Sequence, residues 1–160
     1  MADNGVAARR AAAGLLDQVL GERRMLSEAL GSPFMLKLAY DDRARAQRLA
    51  SETLRSLERA DRVLKPFLRK PPPLAVHNVL RIATYELCTG GAAHGVVNDA
   101  VSSVGANKRT VQLKGLANAV LRKVVEKGPE QWAKLRVPHM PKWLRAPLAK
   151  AYGAESIAAI

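Results

Sequence analysis

The feature that most constrains this chain is the spacing of its apolar residues between positions 113 and 125. Leu113, Leu116, Ala117, Val120, Leu121, Val124 and Val125 recur at steps of three and four. That is the period of a helix with one buried face; a strand, whose side chains alternate every second residue, cannot present it. Leu116, Val120 and Val124 are therefore expected to be buried together. Lys114, Asn118 and Arg122 follow at i, i+4 and i+8, forming a polar strip beside that face. Residues 94–104 repeat the arrangement, with Val97, Ala100, Val101 and Val104 expected inward and Asn98, Asp99, Ser102 and Ser103 outward. Between the two helices, GANKRT sets Lys108 and Arg109 side by side in a turn that faces water. The unit reads as a helical hairpin with a cationic turn, a form suited to contact with RNA.

The remainder of the chain is read in the same terms. Asp3 or Asn4 is placed to cap a first helix reaching about residue 20, with Ala8, Ala11, Leu15, Leu16 and Val19 inward. Arg9 and Arg10 lie off that face. Cations in a first turn oppose the helix dipole at a cost of a few tenths of a kcal/mol, which fits either use elsewhere or plain solvation. A break at 21–24, a short helical piece at 26–30 and an apolar cover, FMLKLAY, lead to a long helix capped by Asp41 and Asp42 and reaching about residue 69. Ala50, Leu54, Leu57, Leu64 and Leu68 are its core positions. Asp61 falls where the pattern wants an apolar residue, so a bend or fresh cap is expected there. Arg48, Arg55, Arg59, Arg62 and Arg69 form an outer stripe that Glu52, Glu58 and Asp61 partly neutralise.

Pro71, Pro72 and Pro73 form an extended linker and are expected to divide an N-terminal from a C-terminal group of helices. The next helix packs through Val76, Val79, Leu80, Ala83 and Leu87 and ends at Gly90-Gly91. His77 has no second ligand at metal spacing, and Cys88 reads as a small core residue. Gly128-Pro129 is expected to end the last regular helix, before a proline-punctuated region containing Trp143 and Tyr152. The final AESIAAI looks like a helix cut at Ile160, which suggests a piece of a longer protein.

Composition narrows the function classes. The chain has 160 residues, 48% of them hydrophobic and only 4% aromatic, which suits packed helices. Twenty-six basic against 14 acidic residues give +12, and an excess of that size implies an anionic partner, usually nucleic acid. No apolar run reaches the roughly 18–20 residues of a membrane span, and the amphipathic N-terminus does not read as a signal peptide. The single cysteine excludes an internal disulfide and a cysteine-based zinc site, so the cytoplasm is the expected location.

Three blocks in order, LRIATYEL at 80–87, HGVVNDAV at 94–101 and KGLANAVLRKV at 114–124, give the chain a resemblance to the NusB family over about residues 6–127. The resemblance implies an all-α fold of two packed helical sub-bundles, about seven helices, that binds RNA. Arg9 and Arg10 correspond to the family's arginine-rich first helix. The short turn in KRTVQLKGL and the tail HMPKWLRAPLAKAYGAES are similar to the NusB-like N-terminal domain of small-subunit ribosomal RNA cytosine-C5 methyltransferases. The alternative is a free-standing antitermination factor that binds leader RNA with a ribosomal protein, and a third reading is a helical protein–protein module, which the net charge disfavours. GGAAHGV departs from the family by lacking the usual prolines before the histidine.

On this reading residues 1–139 form the RNA-binding domain and 140–160 begin the connection to a methyltransferase domain. S-adenosylmethionine would serve the full-length parent. This chain has no Gly-rich loop after a strand and no cysteine pair, so no cofactor and no catalytic residue are expected in it. The residues expected to contact phosphate are Arg9, Arg10, Lys108, Arg109, Lys114 and Arg122.

Overall fold

The computed structural model describes residues 5–135, which are all-α. Eight helices follow in order: α1 (Val6–Leu16), α2 (Leu26–Ala29), α3 (Pro33–Leu36), α4 (Tyr40–Arg55), α5 (Leu57–Leu64), α6 (Leu74–Cys88), α7 (Ala93–Gly105) and α8 (Lys114–Lys134). The cap expected from Asp3 or Asn4, the proline-punctuated tail and the boundary at 139/140 lie outside the described residues. α1 passes into a wider π turn, Asp17–Gly21, before the chain breaks.

The helices bury two cores. In the first, Ala8, Ala12, Leu15 and Leu16 of α1 meet Ala46 and Ala50 of α4, with Ala29 and Met35 closing the end. Facing alanines let two helix backbones approach closely. In the second, Leu64 of α5, Leu80 of α6, Val96 and Val104 of α7, and Leu121 and Val124 of α8 pack together. α6 joins them: its Ile82 belongs to the first core, and Val79 and Tyr85 touch both.

The division does not fall at the prolines. It falls at Ser56, whose ψ of 19° ends α4 and turns the chain so that α5 packs in the second core. Residues 71–73 are a spacer inside the C-terminal sub-bundle. Asp41 and Asp42 sit within the first turn of α4, where they favour the helix dipole, and Ala39 occupies the cap. Asp61 makes no bend. It lies inside α5 and reaches across to α6, where Arg81 donates Nε to Oδ1 (2.8 Å) and Nη2 to Oδ2 (2.9 Å) and His77 Nε2 lies 3.2 Å from Oδ1. A bidentate ion pair, not a helix break, accounts for the acid on that face.

α8 also departs from expectation. It runs through Gly128-Pro129 to Lys134. Pro129 removes only its own N–H, on an exposed face where the freed carbonyl can meet water. Gly128 is needed for close approach, since a Cβ there would lie 2.8 Å from Val124 Cγ1 and 3.0 Å from Cys88 Sγ. One turn on, Trp132 is buried edge-on to Tyr85, with ring centroids 6.1 Å apart. The Arg59 guanidinium stacks 4.5 Å over the indole and donates two hydrogen bonds, of 3.0 and 2.6 Å, to the Trp132 carbonyl. Arg59 is thus a packing residue and not part of a solvated, salt-bridged stripe. Leu116 is 38% exposed, against 3% for Val120 and 0% for Val124. At about 100° per residue it sits roughly a quarter turn off the line of Ala117, Val120, Leu121 and Val124. α6 ends as expected: Gly90 takes φ +99°, and the Gly91 N–H reaches the Glu86 carbonyl at 2.7 Å, closing a Schellman turn.

Candidate nucleic-acid interface

The two neighbouring arginines of α1 have different fates. Arg9 turns into the junction between the sub-bundles, where only 18% of its side chain is exposed. It donates Nε to Glu86 Oε1 of α6 at 2.7 Å and Nη1 to Asp99 Oδ2 of α7. Burial alone would lower its pKa, but the bonds and charges of Glu86 and Asp99 outweigh that and hold it above its ordinary value. Asp99, expected to face water, therefore faces inward: it supplies the second carboxylate of this clamp. The local cost of a cation in the first turn of α1 is offset by acids from two other helices.

With Arg9 fixed, Arg10 is directed outward past α7, its Nη2 3.5 Å from Ser102 Oγ. There it lines one open groove with Ser103, Ala106, Asn107, Lys108 and Arg109. The turn that presents the last two is held from within. Thr110 is buried and donates Oγ1–H to the Val104 carbonyl at 2.7 Å, and Asn107 Oδ1 accepts the Arg109 N–H at 2.8 Å. Lys108 and Arg109 are exposed and have no ion pair among the described residues. On the other side of the α7 terminus a second recess is lined by Asn98, Val101, Ser102, Gly105, Lys114 and Asn118. Ala106 borders both. Arg122 is exposed two turns farther along α8, about 12 Å from Lys114 at the helical rise.

The NusB family model matches residues 6–126. The chain belongs to the NusB family. It is 32% identical over 152 residues to the ribosomal RNA small subunit methyltransferase B of Shigella boydii serotype 18. It is 31% identical over the same length to proteins of that name from Escherichia coli O6:H1 and Escherichia fergusonii. Each alignment covers 90% of this chain and 35% of the relative, so the chain spans about a third of the length of these curated relatives.

Of the six cations singled out in the sequence, this NusB-family fold gathers Arg10, Lys108 and Arg109 in one groove and sets Lys114 beside it. Arg122 stands apart, and Arg9 is enclosed. A further basic cluster lies outside those six. Lys65, Arg69 and Lys70 flank a shallow groove with Asp61 and His77, just before α6. Its signal in the sequence is the run KPFLRK beside the prolines of the linker; of that run, only Arg69 belongs to the stripe expected to be partly neutralised.

No group of three or more histidine, cysteine or acidic side chains is arranged to hold a metal among the described residues. Burial pushes the Cys88 thiol up to about 11, against the opposing pull of Arg59, so it is a poor nucleophile at neutral pH. No described helix is long and apolar enough to cross a membrane.

Proposed function

We propose that this chain is an RNA-binding domain that holds small-subunit ribosomal RNA for a cytosine-C5 methyltransferase, and that it performs no catalytic step itself. The observation that carries the reading is the groove at the end of α7, where Arg10, Lys108 and Arg109 converge with no ion pair among the described residues. Unpaired cations on a rigid turn neutralise phosphate and release its counterions. Lys114 extends that surface onto α8, Arg122 lies apart from it, and Arg9 serves the fold and leaves the phosphate-contacting set. The relatives are named ribosomal RNA small subunit methyltransferases, and this chain spans 35% of their length; on this reading methyl transfer, with S-adenosylmethionine as donor, falls to portions that this chain does not share.

The test is fluorescence polarisation of the chain with labelled small-subunit rRNA fragments at several salt concentrations. Binding should weaken linearly on a log–log plot, by roughly 0.7 per neutralised phosphate on a single strand. Affinity independent of salt would overturn the reading, as would labelled methyl incorporation by this chain alone.

A further inference from the structure

We propose that the recess between the C-terminal half of α7 and the first turns of α8 receives one unpaired nucleobase of the bound RNA. The proposal rests on the RNA-binding reading above and adds to it a position where the base, not the phosphate, is contacted. The recess differs in chemistry from the groove beside it. The groove is lined by three cations, whereas the recess has a single ammonium, Lys114, at its edge. Its walls carry two carboxamides, Asn98 and Asn118, and the Ser102 hydroxyl, over the apolar side chain of Val101. Each carboxamide offers both donors and an acceptor, and the hydroxyl offers either. That set matches the mixed edge of a base; a phosphate, which only accepts, would leave the amide oxygens unused.

Asn118 strengthens the case. It is half-buried, and its side chain makes no hydrogen bond among the described residues, so its donors and acceptor are open to a ligand with polar edges, each bond replacing one to water. Asn98 is steadied by a 3.0 Å contact with His94 Nε2. Space is kept by Gly105, where a Cβ would lie 3.0 Å from Lys114 Cδ, so the lysine stem can lie across the helix end. Ala106 borders both recess and groove, which places a base in one beside a backbone phosphate in the other. In an A-form duplex the base edges are engaged in pairing and face narrow or shallow grooves, so the ligand is a single-stranded segment.

The experiment compares single-stranded RNA of about twelve nucleotides, a length within the usual single-strand site size, with an abasic strand of equal phosphate count. The parent chain should prefer the base-bearing strand five- to tenfold, the worth of one or two neutral hydrogen bonds. Asn98→Ala/Asn118→Ala should abolish that preference while the salt slope stays unchanged. If the double variant does not fold, Asn98→Ala alone, at an exposed position, should reduce the preference. No preference in the parent, or equal losses on both strands, would overturn the recess and leave the phosphate groove standing. Salt-independent binding of both strands by the parent would instead remove the RNA reading itself, and the recess with it.

Discussion

Asp61→Asn is expected to expose how much the polar junction between α5 and α6 contributes. The Asp61 carboxylate is one-third exposed, but its partner Arg81 is only 11% exposed and also donates to Asn78 Oδ1, which in turn is bonded through Nδ2 to Asp17. Burial pushes the Asp61 pKa up, but hydrogen bonds from His77 and Arg81 and their charges outweigh it and hold it at about 2, against an ordinary 3.8. At about 1.4 kcal/mol per pKa unit this corresponds to roughly 2.5 kcal/mol at neutral pH, and solvent screening of a one-third exposed group reduces it to about 1–2 kcal/mol. Because the folded value is depressed, that stabilisation is fully present above about pH 5 and is lost as pH falls through 4 towards 2. Asparagine keeps the shape and removes the charge. Urea melts at pH 7 should therefore place the variant about 1–2 kcal/mol below the parent, and the gap should close as pH falls towards 2. An equal gap at both ends of the range, or none at pH 7, would refute the argument.

Three further outcomes follow from packing. Val120→Asp should cost several kcal/mol or prevent folding, because it buries an unpaired carboxylate, whereas Leu116→Asp should stay within about 0.5 kcal/mol; thermal melts of both separate the inward line of α8 from its flank. Gly128→Ala should destabilise by about 1 kcal/mol despite alanine's better helix propensity, since the added methyl meets Val124 and Cys88, and a gain in melting temperature would contradict the close approach. Trp132→Ala should cost roughly 3–5 kcal/mol in a denaturant melt, a loss that a helix ending at Gly128 would not produce.

The fold class was legible because the 3.6 period is a local signal. Val76, Leu80, Val120 and Val124 are buried where their spacing put them. What the pattern missed depends on contacts between distant segments. Asp61 looks like a break until Arg81, twenty residues on, is seen to pair with it. Arg9 and Asp99 are ninety residues apart, so nothing local marks the one as enclosed or the other as inward. Gly128-Pro129 carries a strong stop signal, but Trp132 packing against Tyr85 and Arg59 holds the helix together beyond it. In the candidate site, Lys108 and Arg109 were visible as a cationic turn. Their meeting with Arg10 across α7 was not, since it depends on how α1 lies against the hairpin.

The most direct test of the central claim sets two double variants side by side. Lys108→Ala/Arg109→Ala removes two groove cations, and Arg48→Ala/Arg62→Ala removes two exposed cations on α4 and α5. Arg59 is unsuitable as a control because it packs on Trp132. Both variants lower the net charge equally. The first should weaken rRNA binding and flatten the salt slope by about 1.4, the share of two single-strand phosphates, while the second should leave the slope near the parent's. Equal losses from the two variants would contradict a localised site and reduce the interaction to net charge alone.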